Sequence, residues 1–375
     1  MLKNFTTFEP EFLYFLAFLL YNKRMNLREK TKPIKLGDIQ IGNNNKIAIQ
    51  SMCDIKTSNV DLVVKEINEC HELGADLMRV SVLDQEDAYA IKEIKKRISI
   101  PLVADIHFDY KLGLLAIENG ADKIRINPGN IGGIEGLEAI ITSCKENHVP
   151  IRIGVNKGSL EKDLAENEVL SEEEKLVESA LRYVKIFESY NFKDLVISVK
   201  ASNPLVTLNA YRLISTKTNY PLHIGVTESG YDEVGIIRSV SALAPLILEG
   251  IGSTIRISLT HNPQKEIKTC VRLLHDLGLY NEYPTIISCP TCGRCQVTNT
   301  AIMADKTLEY LIKHKKYISV AIMGCIVNGI GEGKNADIGL AGGKDSFIIF
   351  KKGQILKTVT QENALQTLFE EIDKL

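Results

Sequence analysis

Three cysteines fall at intervals of three in SCPTCGRC (288–295), within a chain of 375 residues that holds eight cysteines in all. Cys289 and Cys292 form a CxxC, Cys295 extends it, and Cys325 follows in MGCIVNGIGEG (323–333). Four thiolates suit a tetrahedral zinc site, although zinc ribbons pair two CxxC knuckles and Cys325 has no neighbouring cysteine. A redox CxxC opens a helix beside a βαβ pattern, which leaves Cys295 and Cys325 without a role. Thiolates from a CxxC and a distant turn also suit a cubane iron–sulfur cluster, whose remaining iron takes a non-cysteine ligand. Glu332 is the obvious non-cysteine ligand, because the glycines around it let the backbone fold close. The residues alone leave these three chemistries open. The other cysteines, Cys53, Cys70, Cys144 and Cys270, are scattered through the chain. They read as small buried hydrophobes rather than a disulfide framework.

A second set of residues breaks a rule. Arg79, Arg125, Arg152, Lys200 and Arg256 lie within or at the ends of short apolar runs that should be uninterrupted if buried on both faces. Polar partners sit two residues away: Ser81 after Arg79, Asn127 after Arg125, Ser258 after Arg256. Asp105 and His107 are likewise two apart, and Asn156 follows Arg152 by four. Residues i and i+2 share a strand face, so these groups converge near the strands' C-terminal ends. Five cations at one mouth, in a chain of formal net charge −2, need an anion between them. Arginine forks match phosphate oxygens, which points to a substrate carrying more than one phosphate. Some of the five are also open to pairing with neighbouring acids. Glu228, in GVTESG (225–230), is a carboxylate at the same mouth and suits acid–base work. His223 lies inside its run and reads as structural.

The elements that position these groups are eight β-branched runs: 46–51, 77–82, 100–106, 123–128, 150–156, 194–200, 221–227 and 254–260. Segments with helical apolar spacing separate them, as in DLVVKEINECHELGA (61–75). The alternation predicts parallel βαβ units and a (β/α)8 TIM barrel. LGADLMRV (73–80) and NGADKIRI (119–126) repeat the same helix end, turn and strand start, with Gly74 and Gly120 suited to helix C-caps. No GxGxxG follows the first strand to favour a doubly wound sheet. Three Asn-Pro pairs, at 127–128, 203–204 and 262–263, give turn signals after strand segments. With 45% hydrophobic and 25% charged residues the chain is an ordinary globular one, and its charge gives no reason to expect nucleic acid as a partner. An apolar run of ten at 12–21 is too short to span a bilayer. It lacks the basic flank and cleavage site of a signal peptide. We read it as a misassigned start or a disordered extension, a membrane-surface anchor being the other reading.

Together, SCPTCGR (288–294) and GCIVNGIGE (324–332) resemble the signature of the 4-hydroxy-3-methylbut-2-enyl diphosphate synthase family of the bacterial non-mevalonate isoprenoid pathway. VADIHFDY (103–110), RINPGNIG (125–132), IRIGVN (151–156), HIGVTESG (223–230) and IRISLT (255–260) resemble that family's barrel segments. The resemblance runs from about residue 33 to the end. It implies an extension at 1–32, a TIM barrel at 33–280 and a small α+β iron–sulfur domain at 281–375. It also implies a cytoplasmic enzyme that reductively opens 2-C-methyl-D-erythritol 2,4-cyclodiphosphate. The cofactor would be a [4Fe–4S] cluster on Cys289, Cys292, Cys325 and Glu332, reloaded by flavodoxin or ferredoxin. Substrate binding would fall on Arg79, Asp105, His107, Arg125, Asn127, Arg152, Asn156, Lys200, Arg256 and Ser258, and acid–base work on Glu228. Cys295 is an additional thiol, Ile330 stands where the family commonly has proline, and residues 1–24 have no counterpart. Barrel helices run back from the mouth, and a barrel is on the order of 30 Å deep. The short 280–287 connection therefore predicts a head-to-tail homodimer in which each cluster domain caps the partner's barrel. Two rivals remain: a barrel-derived binding protein with a structural zinc knuckle, and a phosphate-sugar isomerase with incidental thiols.

Overall fold

The computed structural model describes residues 27–375 apart from Thr298, Glu332 and Asp345. The apolar run at 12–21 and the Glu332 ligand lie outside the described residues. A hairpin of β1 (Ile34–Leu36) and β2 (Ile39–Ile41) comes first. Eight parallel strands follow: β3 (Ala48–Met52), β4 (Leu77–Val82), β5 (Leu102–Ile106), β6 (Lys123–Ile126), β7 (Ile151–Asn156), β8 (Leu195–Lys200), β9 (His223–Ile224) and β10 (Thr254–Ile255). They pair in the order β8-β7-β6-β5-β4-β3-β10-β9. A bridge from Ile197 to Leu222 links β8 to the start of β9 and closes the ring. The fold is the (β/α)8 barrel the alternation predicts. Its last two strands are shorter than the runs that contain them.

Helices alternate with the strands: α1 (Val60–Glu72), α2 (Gln85–Lys95), α3 (Tyr110–Glu118), α4 (Gly133–Glu146), a single turn α5 (Lys162–Ala165), α6 (Glu172–Ser189), α7 (Pro204–Lys217), α8 (Asp232–Leu248) and α9 (Pro263–Asp276). Gly74 (φ 108°) and Gly120 (φ 93°) end α1 and α3 in backbone regions closed to other side chains. The Asn-Pro pairs do more than stop strands. Asn203 caps α7, accepting from the Leu205 and Val206 amides, and Pro204 occupies the first helical position. Asn262 accepts from Lys265 N at the start of α9. Asn supplies the missing acceptor, and Pro lacks the donor that would be orphaned there.

Inside the barrel, side-chain alternation separates an apolar floor from a polar mouth. Ala48, Leu77, Val103 and Val196 form one buried cluster with Ile34, Leu36 and Ile41 of the hairpin, which plugs the N-terminal end. Two residues further along each strand the interior carries Gln50, Arg79, Asp105 and Ser198. Cys53, Cys70, Cys144 and Cys270 are buried and unpaired.

The chain divides into two compact units at Leu273/Leu274. The second contains β11 (Thr285–Ser288), α10 (Thr300–Lys313), β12 (Ser319–Met323), α11 (Ile326–Gly331), β13 (Ile338–Gly342), β14 (Ser346–Lys351), β15 (Gln354–Thr360) and α12 (Ala364–Asp373). Its sheet runs in chain order, parallel through β13 and antiparallel after it. Leu311, Val320, Ile322, Phe347, Ile349 and Leu368 fill one face. Ala321, Met323, Ala341 and Phe350 fill the other, with Ile287 and Cys289 packed against them.

Leu36 is fully buried in the floor plug. Replacing it with Ala leaves a cavity between hairpin and strands, at a cost of about 2–5 kcal/mol. A lower urea midpoint for the barrel's unfolding is the expected result.

Candidate active site and thiol edge

The polar mouth holds a cavity of about 100 Å³ lined by Arg79, Arg125, Arg152, Asn156, Lys200, Arg256 and Ser258, together with Gly154, Val155, Ser198 and Thr227. Seven residues singled out in the sequence therefore meet around one space. Asp105 and His107 do not line it but contact residues that do. Asp105 Oδ1 accepts from Arg125 Nη1 at 2.9 Å, and its Oδ2 lies 3.6 Å from Arg79 Nε and 3.5 Å from His107 Nε2. Burial works to raise the Asp105 pKa, but Arg79, His107 and Arg125 outweigh it and hold the carboxyl ionised, well below the usual range. Arg256 is clamped by Glu266 through two bonds of 2.9 and 3.1 Å, and Ser51 Oγ and Leu259 N also donate to that carboxylate.

Arg152 and Lys200 have no carboxylate partner in the salt bridges among the described residues. Arg152 is 2% exposed, and its Nε and Nη1 are buried without hydrogen bonds. Lys200 Nζ lies 3.3 Å from His223 Nε2, and His223 Nδ1 is 2.7 Å from Thr254 Oγ1. Burial, then the neighbouring cations with Arg152 first, push the pKa of Lys200 and of His223 well down. His223 is thus a buried link holding Lys200, in keeping with its structural reading.

Several features of the site carry no obvious mark in the sequence. Met52 Sδ accepts from Arg79 Nε and Nη2 at 3.1 and 2.7 Å. A Cβ on Gly154 would come within 3.0 Å of Arg125 Nε, and one on Gly225 within 2.5 Å of Lys200 Nζ and 2.6 Å of the Arg256 carbonyl. Both glycines leave room for a cation to lie across bare backbone. Glu266, in the first turn of α9, lies only ten residues after Arg256, and that short spacing is the signal in the sequence that could have found it. Asn127 is buried and caps the turn after β6, its Oδ1 accepting from Gly129 N at 3.3 Å, and it does not line the cavity. Glu228 is exposed in the loop after β9 with φ 51°, a strained conformation for a carboxylate residue.

In the second unit the register of β11 with β12 aligns Ser288 with Ile322, so Cys289 and Cys325 emerge from the C-terminal ends of adjacent parallel strands. Gly324 N donates to Cys289 Sγ at 3.2 Å. A Cβ on Gly324 would lie 2.5 Å from Cys295 Sγ and 3.6 Å from Cys289 Sγ, so the glycine opens a cradle between two sulfurs. Cys292 is exposed, and the main-chain and side-chain N–H groups of Arg294 lower its pKa. As the side chains stand, no three His, Cys, Asp or Glu among the described residues converge on a metal position. The donor set nevertheless fits a soft-metal group: several thiols on one edge, around backbone that a single Cβ would fill.

The closed barrel and its cation-lined C-terminal mouth define a (β/α)8-barrel enzyme. A TM-score of 0.50 to dihydropteroate synthase from Stenotrophomonas maltophilia, at 14% identity over 66% of this chain and 97% of that one, reflects the barrel alone. Residues 31–271 match the GcpE TIM-barrel domain and residues 285–374 the GcpE protein C-terminal domain. The chain belongs to the GcpE family. It is 49% identical to 4-hydroxy-3-methylbut-2-en-1-yl diphosphate synthase (flavodoxin) of Clostridium perfringens, over 93% of this chain and 99% of that protein. It is 48% identical to the synthase of the same name from Bacillus subtilis, over 93% and 92%.

Gly225→Ala sets a methyl group against Lys200 Nζ and the Arg256 carbonyl. The backbone cannot yield as a side-chain tip can, so both cations shift. Phosphate-ligand affinity measured by calorimetry should fall by about tenfold or more, the equivalent of about 1.4 kcal/mol.

Proposed function

We propose that this chain catalyses the two-electron reductive ring opening of 2-C-methyl-D-erythritol 2,4-cyclodiphosphate to 4-hydroxy-3-methylbut-2-enyl diphosphate, with flavodoxin or ferredoxin as reductant. One cyclic diphosphate, two electrons and two protons give one linear diphosphate and one water. The observation that carries the reading is that Arg152, buried, and Lys200, half-buried, face the cavity with no carboxylate partner in the salt bridges among the described residues. A ligand bringing two phosphates supplies the missing negative charge, and the family's reaction uses such a ligand.

The barrel residues do the binding. Arg152, Lys200 and Arg256 hold the diphosphate oxygens, and Asn156 and Ser258 donate at the rim of the same cavity. Asp105 orients Arg79 and Arg125, with His107 against Arg125 Nη1 at 3.0 Å. Asn127 fixes the turn that follows Arg125. Glu228, exposed at the mouth, gives a proton to the departing hydroxyl.

Cys289, Cys292 and Cys325 would hold a [4Fe–4S] cluster, with Glu332 as the fourth ligand by motif. When bound, that group supplies electrons singly and an iron able to polarise a substrate oxygen. Cys295 lies against Gly324 beside Cys289 and is the spare thiol. A head-to-tail homodimer, each C-terminal unit over the partner's mouth, is consistent with the exposed apolar residues that follow the barrel strands. Leu83, Phe108, Ile134, Leu205 and Tyr231 are each at least 66% exposed. Among the described residues no helix is long and apolar enough to cross a membrane, and we read the enzyme as cytoplasmic.

Protein isolated without oxygen should contain about four irons and four sulfides per chain and be brown. Colourless protein with one zinc would instead favour a binding protein with a structural knuckle. Glu228→Gln should lower turnover by about 10²–10⁴-fold while the visible spectrum stays intact. Loss of the spectrum along with turnover would make Glu228 a structural residue.

A further inference from the structure

Beneath the cavity the barrel encloses an amine that the reading above leaves unused. Lys123 opens β6, is fully buried, and its Nζ has no hydrogen-bond partner. It lies two residues before Arg125 and shares that residue's inward face. Gln50 is inward on β3 by the same alternation, between Ala48 of the floor and Met52 against Arg79. It is also fully buried, and both polar atoms of its amide are unpartnered. Four polar groups of this interior, the Lys123 amine, Arg152 Nε and Nη1, and the Gln50 amide, are thus sealed from water with nothing to bond.

The surroundings of Lys123 are one-signed. The charges that reach it are those of Arg152 on β7 and Arg79 on β4, and the same two reach His223 on β9. Lys200 on β8 is faced by Arg152, Arg256, Arg79 and Arg125. The interior carboxylates are occupied elsewhere: Asp105 with Arg79 and Arg125, Glu266 with Arg256. A buried amine without an acid costs free energy unless it is neutral or an anion arrives.

We propose that diphosphate binding is coupled to proton uptake inside the barrel, with Lys123 as a positioning residue that takes the proton and becomes a cation beneath the bound anion. The inference rests on the functional reading above, since it requires a diphosphate in the cavity. Burial first, then Arg152 and Arg79, push the Lys123 pKa well down in the ligand-free protein, which biases the buried, unpartnered amine toward its neutral form. Two phosphate charges arriving above it offset much of the local positive field and raise that pKa. A proton passes from buffer to Nζ, and one N–H bond forms. Linkage fixes the sign: a group that binds a proton with the ligand makes affinity fall as pH rises.

The test is calorimetric titration of the cluster-loaded protein with the cyclic diphosphate, in buffers of differing ionisation enthalpy. In that ligand each phosphorus keeps one strongly acidic oxygen, so its own charge is constant near neutrality and the protons counted belong to the protein. The expected result is net uptake, with Kd rising up to tenfold per pH unit for each coupled proton. Lys123→Met, similar in length and apolar, should remove one proton from the count and flatten that slope. Its melting temperature should be unchanged or higher, because an unpartnered amine is gone. Binding by the wild type without uptake overturns the proposal alone. So does an unchanged proton count in Lys123→Met, which would assign the uptake to Lys200 or His223. No binding of the cyclic diphosphate removes the functional reading, and this inference with it.

Discussion

An excess of positive charge inside a closed barrel is the constraint from which the rest of the site follows. Asp105 and Glu266 pair with three of the cations and hold them in fixed directions. Arg152 and Lys200 are left facing the cavity, and their uncompensated field is what a doubly charged ligand experiences. The site is therefore organised before the ligand arrives. The arginine forks are already aimed, glycines have cleared the backbone beneath them, and His223 is bonded into the wall behind Lys200. Such preorganisation lets the binding energy of the phosphates act on the ring rather than on ordering side chains. The apolar plug of β1 and β2 makes the arrangement possible, because it closes the end of the barrel through which water would otherwise reach the charges.

Much of this was legible in the sequence because charged residues in strand runs violate the pattern a buried strand demands. Arg79, Arg125, Arg152, Lys200 and Arg256 all broke that pattern, and all five line one cavity. The barrel itself was readable from the eight runs, since period and length together distinguish strand from helix. The hairpin plug was not foreseen, being two three-residue strands ahead of the repeat. Lys123 carries no mark in the sequence for a related reason: a lysine at a strand's first residue looks like a solvated edge. Met52, Gly154 and Gly225 act through contacts that only the folded chain creates.

The thiol edge depends on a different kind of information. The CxxC spacing and Cys325 limit the chemistry to a few choices, and the parallel register of β11 with β12 explains why residues so far apart in sequence emerge together. Gly324 is the local reason the sulfurs approach one another, since any side chain there would occupy the space beside Cys295 and Cys289. The glycine between these thiols is thus the counterpart of Gly154 and Gly225 in the barrel. In each case an absent side chain lets a reactive group approach the backbone.

The central claim is that the barrel's unbalanced cations and the thiol edge serve one reaction on a cyclic diphosphate. Product analysis tests it most directly. The cluster-loaded protein is mixed with reduced flavodoxin and the cyclic diphosphate under strict anaerobiosis, and the products are identified by mass and phosphorus resonance. The account predicts a linear allylic diphosphate formed with one water for every two electrons consumed. Unchanged cyclic diphosphate, recovered from protein that carries its cluster and binds the ligand, would contradict it.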